Sequence, residues 1–553
     1  MSGTDLIKGY PKYLRESIQN VEKTRERRLK ESFELMSLDE RDELLKTFHP
    51  DYRKEGKRQV KFGPNKGDLM PHEVVDILEA HPLVDPNTID LSPVDFDVSI
   101  LIIGGGGGGM TAALWALYSG VNAEDILIVQ KLRLMDSNSV MSQGGIQAAD
   151  KTNDSPTMHY LDIIGGGHFT NNPELVRTLV MDAPLIIKWH EELGVMYDRV
   201  ADGTMSTLSG GGASRKRMHS ARDYTGMEIV RNLKDEILNK NLPVLEFTSA
   251  VELIMDEYDQ VAGAVLYDME THRYHVVRAK LTILATGGFG RLHIQGFQTT
   301  NHYGATGDGV ALACHVGAKL KDLDSVQYHP TGAAYPEQIV GLLVTEKVRN
   351  LGAQPVNRNG DQFVYPLEPR DVEASAIIRE CYERNKGIET PTGMRGVWLD
   401  SPMIEIIHGE GTISKLLPAM YRQNIRFDID MTKDPILVFP TLHFQNGGIE
   451  MINDKTETSV SGLLACGEVT GGVHGKNRLM GNSILEYSVY GRRAGIFAAK
   501  RAQKVKLGKL SLDHVGRYKE MLKETGVKTT KKAPILLPEY RGEGVLSRAL
   551  NLL

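Results

Sequence analysis

The chain has very little cysteine. Of its 553 residues only Cys314, Cys381 and Cys466 are cysteine, and they lie far apart in the sequence. This spacing excludes a disulfide framework and the closely spaced thiolates that bind an iron–sulfur cluster. Any iron–sulfur centre with which this chain works must therefore lie on another chain.

The sequence also lacks long apolar runs and a strong excess of one charge. No stretch reaches the length that spans a bilayer, and the start, MSGTDLIKGYPKYL, has no signal-peptide core. The formal net charge of −6 gives no indication of nucleic-acid binding. These absences predict a cytoplasmic protein, or one held on the cytoplasmic face of the membrane through partner subunits.

Glycine, in contrast, is abundant, with 56 residues, and the hydrophobic share of 41% predicts two or three domains with ample core. After the apolar strand FDVSILII come Gly104, Gly106 and Gly109 in GxGxxG spacing, and then a predicted helix from about Met110. Backbone amides and a helix N-terminus in this position bind a pyrophosphate. The pattern therefore predicts a dinucleotide-binding fold.

Later segments support the same cofactor class. DILIVQK is a second predicted strand, with Gln130 at its ribose-facing end. The motif ATGG, from Ala285 to Gly288, brings backbone close to a cofactor, and Asp308 in GATGDG adds a fixed acceptor. Each motif alone could be a chance turn, but their order along one chain makes chance improbable.

Arg478 stands in a glycine-rich run, GEVTGGVHGKNRLMGNS, that ends at a predicted helix start. An arginine held in this way presents a rigid donor fork to a planar carboxylate, while the glycines let a bulky ring system lie against bare backbone. This combination predicts a flavin beside an acid substrate.

Residues 1–95 differ from the rest because they are rich in charge, with short predicted helices such as RERRLKESFELM. They form either a docking arm for a second chain or a solvated extension wrapped on the chain's own domain. The sequence leaves both interpretations open.

The motifs after GxGxxG occur in the order SQGGIQAA, ATGGFGR, TGDG, QYHPTG, LLVTEKVR, PRDVEAS, FPTLHFQNGGI and HGKNRLMGNS. In this order they resemble the flavoprotein subunit of succinate dehydrogenases and fumarate reductases, a family that also includes L-aspartate oxidase. The resemblance covers about residues 96–503. It implies an α/β fold: a Rossmann-like FAD-binding domain interrupted by an α+β capping domain, with helical N- and C-terminal extensions.

The boundaries expected from this resemblance divide the chain into five segments. They are a charged N-terminal extension at 1–95, the first part of the FAD-binding domain at 96–322, a capping (substrate) domain at 323–437, the second part of the FAD-binding domain at 438–503, and a short helical C-terminal segment at 504–553.

The resemblance also assigns residues to the cofactor and the reaction. The expected FAD-binding residues are Gly104, Gly106, Gly109, Gln130, Lys131, Ser137, Asn138, Ser139, Gly144, Gly145, Ala250, Ala285, Thr286, Gly287, Gly288, Asp308, Glu468 and Ser483. A C4-dicarboxylate, fumarate or succinate, is expected to lie between His329, Thr345, His443 and Arg478.

The implied reaction is hydride transfer from flavin N5 to fumarate, with Arg370 as the proton donor and Glu346 and Arg349 as its relay to solvent. A guanidinium in water hardly gives up a proton. The acid role therefore needs a desolvated site, a nearby cation such as Arg478, and prompt reprotonation through Glu346.

The chain departs from the family at three places. Asn138 stands where membrane-bound members carry a histidine that binds flavin covalently, so FAD is expected to be non-covalent and the reaction biased to fumarate reduction. Met480 replaces a frequent glycine, and the stretch AAYPEQIVG is longer than usual. Both lie near the predicted substrate side, which leaves a larger or altered acid open as the substrate.

The resemblance further implies that the partner is an iron–sulfur subunit, with a membrane-anchor subunit or a thiol- or quinone-linked subunit in addition. Two other functions stay open. L-aspartate oxidase would need a carboxylate that holds the substrate ammonium, and the sequence assigns none. A non-catalytic subunit that only relays electrons would have no need to retain Arg370, Arg478 and both histidines.

Overall fold

The computed structural model describes residues 9–540. The outermost parts of the two predicted extensions, residues 1–8 and 541–553, lie outside the described residues. The α-helices are Lys12–Lys30, Leu38–Phe48, His72–Leu78, Gly107–Tyr118, Asn138–Met141, Pro156–Gly166, Pro173–Glu192, Thr225–Asn239, Asp308–His315, Lys347–Asn350, Arg370–Ile378, Met403–His408, Thr412–Leu416, Pro418–Ile425, Asn482–Ala502 and Asp513–Glu524.

The largest sheet combines a parallel part with an antiparallel part. Its strands lie in the order Leu510–Ser511, Thr248–Asp256, Val261–Asp268, Tyr274–Leu284, Phe96–Ile103, Ile126–Val129 and Val244–Leu245, with Leu463–Ala465 beside Tyr274–Leu284. Tyr274–Leu284 runs parallel to Phe96–Ile103 and to Leu463–Ala465, but antiparallel to Val261–Asp268. The parallel part is the sheet predicted from the GxGxxG pattern.

A second sheet consists of strands from the middle of the chain. Its order is Val326–Ala333, Ile436–Gln445, Arg395–Asp400 and Gln354–Val356, with Ile388–Glu389 beside Arg395–Asp400. Val326–Ala333 and Ile436–Gln445 carry QYHPTG and PTLHF, so their antiparallel pairing brings the two motifs together. Ile436–Gln445 runs across the predicted boundary between residues 437 and 438, and the division into domains stays a prediction.

Four short sheets complete the strands. They are Lys57–Gln59 with Leu69–Pro71, Ile146–Gln147 with Met218–His219, Lys532–Ala533 with His81–Pro82, and Gly448–Glu450 between Leu320–Lys321 and Thr470–Gly471.

The N-terminal segment packs on the chain's own second sheet. Leu14, Ile18 and Val21 on helix Lys12–Lys30 are buried. Arg28, also on this helix, forms a buried ion pair with Asp400 at 2.6 Å. Of the two interpretations of this segment, the packing supports an extension wrapped on its own chain.

Helix Gly107–Tyr118 lies against helix Asn482–Ala502, and glycine makes the close approach possible. A Cβ at Gly495 would lie 2.2 Å from the carbonyl oxygen of Ala112, and a Cβ at Gly491 would lie 2.6 Å from that of Gly108. Any side chain there would push the helices apart. This contact places the Arg478 segment beside the GxGxxG turn.

Candidate functional site

The GxGxxG turn has the geometry that its sequence predicts. Gly104 has a φ of +116°, and a Cβ there would lie 2.2 Å from the carbonyl oxygen of Ala285. A Cβ at Gly109 would lie 1.8 Å from the carbonyl oxygen of Gly104. Both positions therefore require glycine, and the turn leads directly into the N-terminus of helix Gly107–Tyr118.

A cavity of about 420 Å³ opens at this turn. Most of the residues predicted to bind the cofactor line it, namely Gly104, Gly106, Gln130, Lys131, Ser137, Asn138, Ser139, Ala250, Ala285, Thr286, Gly287, Asp308, Glu468 and Ser483. The dicarboxylate candidates His443 and Arg478 also line it, so a cofactor and an acid substrate could meet in one space.

Four predicted cofactor residues, Gly109, Gly144, Gly145 and Gly288, are not among the lining residues of this cavity. A Cβ at Gly144 would lie 2.2 Å from Met480 Cε, one at Gly145 2.5 Å from the carbonyl oxygen of His219, and one at Gly288 2.5 Å from Glu468 Oε1. In this structure these glycines permit close packing behind the cavity.

Gln130 and Lys131 make contacts within the chain at the cavity wall. Gln130 Oε1 accepts a hydrogen bond from the backbone N–H of Gly105 at 2.7 Å, which fixes the glycine turn. Lys131 Nζ donates to Asp308 Oδ2 and to Thr306 Oγ1, each at 2.7 Å. Asp308 is thus held as a fixed, paired carboxylate.

Asn138 organises the opposite wall through its side-chain amide. Its Nδ2 donates to Asn301 Oδ1 at 2.6 Å and to Glu468 Oε2 at 3.0 Å, and its Oδ1 accepts from the backbone N–H of His302 at 2.6 Å. Burial raises the pKa of Glu468, while Asn138 and the backbone of Gln445 act in the opposite direction. The amide therefore positions a buried carboxyl group that faces the cavity.

The cavity fits a dinucleotide such as FAD. Its floor is a turn in which a Cβ would strike backbone, and a helix N-terminus points into it. Two side-chain oxygens in its wall, Thr286 Oγ1 and Gln143 Oε1, are buried without a hydrogen-bond partner. Such atoms call for a polar ligand, because buried polar groups are nearly always hydrogen-bonded.

Gln327 joins the two arginines that sequence reasoning singled out. Its Oε1 accepts a hydrogen bond from Arg370 Nη1 at 2.9 Å and another from Arg478 Nη2 at 2.8 Å. Its Nε2 donates to the carbonyl oxygen of Arg478 at 2.6 Å. Sequence reasoning did not assign Gln327 to the site, although it lies two residues before His329 in the quoted motif QYHPTG.

A buried ionic chain continues from Arg370. Its Nε donates to Glu346 Oε2 at 2.9 Å, and Arg349 Nη2 lies 3.6 Å from the same oxygen. Glu346 Oε1 also accepts from the N–H of Gly211 at 2.6 Å. Burial lowers the pKa of Arg370, which the Glu346 carboxylate opposes. Burial alone would raise the pKa of Glu346, but Arg370, Arg349 and the hydrogen bond from Gly211 hold it below its ordinary value.

The two predicted histidines lie side by side, with ring centroids 5.0 Å apart. His443 Nδ1 contacts Thr300 Oγ1 at 2.7 Å, and His329 Nδ1 accepts from the N–H of Thr331 at 3.2 Å. Burial, followed by the positive charge of Arg370, holds the pKa of both imidazoles well below the ordinary value. Both are therefore neutral at pH 7.

The two remaining predicted substrate-binding residues are Thr345 and Arg478. Thr345 is buried next to Glu346 in the chain. Arg478 is buried, its guanidinium carbon lies 4.3 Å from the centroid of the Phe444 ring, and its Nη1 donates to Ser483 Oγ at 3.0 Å. Burial, followed by Arg370, holds the pKa of Arg478 well below its ordinary value. His329, Thr345, Glu346, Arg349 and Arg370 do not themselves line the cavity.

Sequence reasoning also missed a contact that fixes the start of helix Arg370–Ile378. Asp371 Oδ2 lies 2.6 Å from His168 Nε2, at the loop after helix Pro156–Gly166. No local signal indicates this pair, since 203 residues separate its members.

Two classes of site have no candidate in the part of the chain that the structure describes. Within residues 9–540 no helix combines the length and apolarity needed to cross a membrane. Over the same range no group of three histidine, cysteine or carboxylate side chains is arranged to hold a metal ion.

The chain matches a known family and several known proteins. Residues 99–484 match the model of the FAD binding domain. An uncharacterized FAD-dependent oxidoreductase of Methanocaldococcus jannaschii is 39% identical over 404 residues, 72% of this chain and 71% of that protein. One subunit of the fumarate reductase (CoM/CoB) of Methanothermobacter marburgensis is 36% identical over 416 residues, 74% of this chain and 73% of that protein.

A solved structure is also similar to this chain. The FrdA chain of E. coli quinol fumarate reductase superposes with a TM-score of 0.69 at 30% identity, covering 78% of this chain and 74% of that chain. These findings confirm FAD as the cofactor and the prediction of a flavin-dependent oxidoreductase. The chain belongs to the family of fumarate reductase and succinate dehydrogenase flavoprotein subunits.

Proposed function

We propose that this chain is the FAD-dependent catalytic subunit of a fumarate reductase or succinate dehydrogenase that favours fumarate reduction. The observation that carries the proposal is the pair of buried arginines, Arg370 and Arg478, that share Gln327 as acceptor beside the cofactor cavity. Two buried guanidinium groups within reach of one amide oxygen form a site of strong positive potential. Such a site suits a small dianion.

The proposed substrate-binding residues are Arg478, His443, His329 and Thr345. Arg478 supplies a charged donor fork, while the neutral imidazoles and the hydroxyl each supply one donor to a carboxylate oxygen. Together they would polarise one carboxylate of fumarate and stabilise the negative charge that develops on it.

Arg370 is the proposed proton donor to the substrate carbon. Its burial lowers its pKa, which makes the guanidinium a better acid than it is in water. Glu346, hydrogen-bonded to Arg370 Nε at 2.9 Å, is placed to return the proton, and Arg349 is the next member of the relay. The bound flavin supplies the hydride.

Asn138 supports both the non-covalent state of the cofactor and the direction of the reaction. A side-chain amide forms no bond to a flavin ring, and both ends of this amide are occupied by hydrogen bonds within the chain. A flavin without a protein substituent has a lower potential than one that carries it, which favours fumarate reduction over succinate oxidation.

The first proposed partner is an iron–sulfur subunit. A membrane-anchor subunit or a thiol- or quinone-linked subunit would join it. The three cysteines are Cys314, Cys381 and Cys466, of which the last two are buried, so they offer no cluster site. We propose that the chain works in the cytoplasm or at the cytoplasmic face of the membrane.

The test is to reduce the bound flavin photochemically without oxygen, add fumarate, and follow flavin absorbance. The wild type should reoxidise rapidly, and Arg370→Gln should be about 10²- to 10⁴-fold slower because it lacks the acid. Arg384→Gln is the matched control and should behave as wild type, since the Arg384 side chain is 43% exposed.

Oxidation of aspartate with oxygen as acceptor would indicate L-aspartate oxidase. No reaction with fumarate or aspartate would indicate an electron relay or a larger acid.

A further inference from the structure

The ionic chain behind Arg370 does not end at Arg349. Arg349 Nη1 donates to Glu373 Oε2 in a short contact and to the carbonyl oxygen of Pro366 at 2.6 Å. Glu373 is fully buried, and its second carboxyl oxygen has no hydrogen-bond partner. Arg349 therefore lies between two carboxyl groups, Glu346 on the substrate side and Glu373 on the far side.

The far side is covered by the N-terminal segment. Glu368 lies five residues before Glu373, and its Oε1 accepts a hydrogen bond from the backbone N–H of Met36 at 2.7 Å. Arg41 Nη2 lies 2.8 Å from Glu368 Oε2, and the Arg41 side chain is 22% exposed. Arg41 is thus where this buried group of charges meets solvent.

We propose that Glu373 is the proton store of the reductase, which recharges Arg370 through Arg349 and Glu346, and that the segment Met36–Arg41 seals the outer end of this path. The inference rests on the function proposed above. It gives the N-terminal segment, which lies outside the matched residues 99–484, a role in turnover.

The proton balance is simple. After Arg370 has protonated the substrate, the Glu346 carboxylate takes a proton from Arg349 and passes it to Arg370. Arg349 takes the proton of the Glu373 carboxyl group in the same movement, so the guanidinium stays charged. Glu373 is left as a carboxylate and is reprotonated from solvent past Glu368.

The charges around Glu373 fit this role. Burial raises the pKa of Glu373 to about 8 and the carboxylates of Glu346 and Glu368 raise it too, while Arg349 and Arg370 act in the opposite direction. The carboxyl group therefore carries a proton at pH 7 and can release it as pH rises through about 8. Arg41 pairs with Glu368, one of the two carboxylates that raise this pKa.

Glu373→Gln is the central variant because an amide matches the neutral acid in shape and charge but holds no transferable proton. In this variant kcat for fumarate reduction should fall by about tenfold or more. The limb of the pH profile near the Glu373 pKa should disappear, while KM and flavin affinity stay within about twofold, since binding contacts are unchanged. Glu380→Gln is the control. Glu380 is another buried glutamate, which pairs with Arg384 and Asn357, and its replacement should leave kcat, KM, flavin affinity and the pH profile unchanged.

Infrared spectroscopy tests the store without turnover. Between about pH 6 and about pH 9.5 the wild type should lose the carbonyl stretch of Glu373 as well as that of Asp51, whose pKa burial raises to about 7. Glu373→Gln should lose only the second. Arg41→Ala should shift the titration upward, because the charge of Glu368 is then less neutralised. An unchanged titration in Arg41→Ala would overturn the role of the N-terminal segment.

The outcomes separate the two proposals. The proton store would be overturned by wild-type turnover and pH dependence in Glu373→Gln. It would also be overturned if the wild type showed no carboxyl titration beyond that of Glu373→Gln. A wild type that leaves fumarate unreduced but shows the Glu373 titration would overturn the proposed function, and with it the role of this carboxyl group in turnover.

Discussion

Arg370 and Arg478 donate to the same atom, the side-chain oxygen of Gln327, at 2.9 and 2.8 Å. Two guanidinium groups repel each other, and burial strengthens the repulsion. The shared acceptor offsets part of that cost and fixes the angle between the two donors. The proposed acid and the proposed carboxylate clamp are thereby positioned as one unit.

Gln327→Leu should therefore slow fumarate reduction without loss of bound flavin. Leucine keeps most of the volume but offers no acceptor, so Arg370 loses its orientation toward the substrate. We expect kcat for fumarate reduction to fall about 100-fold with normal flavin content. Steady-state kinetics measures the effect, and Gln362→Leu is the control because the Gln362 side chain donates to the carbonyl oxygen of Val364, away from both arginines. Equal effects of the two variants would contradict the prediction.

Asn138 predicts how the flavin is held. Acid precipitation of the protein should release all flavin into the supernatant, because an amide side chain forms no bond to the ring. Asn138→Ala should raise the Kd of FAD about tenfold, since Glu468 loses one donor, at a cost of about 1–2 kcal/mol. Fluorescence titration of the apoprotein measures the Kd. Flavin that stays on the precipitated chain would refute the non-covalent state.

The pair of His168 and Asp371 predicts a pH dependence of stability. The hydrogen bond to Asp371 raises the pKa of His168 above its ordinary value of 6.5, although burial acts against it. The stability that charged His168 gives to the folded protein is fully present below pH 6.5. It is lost as pH rises through the pKa of His168 in the folded state. Burial of Asp371 would raise its pKa, but His168 holds that pKa below 3.8. The stability contributed by the Asp371 carboxylate is therefore lost only in acid.

Thermal unfolding of wild type and His168→Gln at several pH values tests this dependence. The wild type should be more stable than the variant at pH 6, by at most about 1 kcal/mol because the imidazole is 37% exposed. The difference should vanish at pH 9. A difference that does not change with pH would show that the pair is not charged.

The ion pairs of Asp400 predict how strongly the N-terminal segment is attached to the second sheet. Its carboxylate is fully buried and contacts both Arg25 and Arg28 of helix Lys12–Lys30. Asp400→Leu leaves Arg28 buried without a counter-charge, so the free energy of unfolding should fall by about 3–5 kcal/mol. Denaturant unfolding measures it. Removing an exposed pair with Arg27→Gln should change it by less than about 0.5 kcal/mol, and a similarly small effect of Asp400→Leu would contradict the prediction.

The parts of this protein that follow from its sequence are those set by local sterics. Gly104 and Gly109 have no room for a Cβ, so their spacing alone predicts the turn and the helix after it. Resemblance to the family, not sterics, indicated His329 and His443 in the motifs QYHPTG and PTLHF, and the structure places these rings 5.0 Å apart. Order along the chain was sufficient to name the family.

Tertiary structure alone decided what depends on contacts between distant segments. Met36 and Glu368 are 332 residues apart, and His168 and Asp371 are 203 apart, so no periodicity or spacing predicts either contact. The sequence likewise does not predict the raised pKa of Glu373, because the pattern shows only a polar residue on a helix. Burial and neighbouring charge set that pKa, and both arise only when the N-terminal segment and the second sheet close around the side chain.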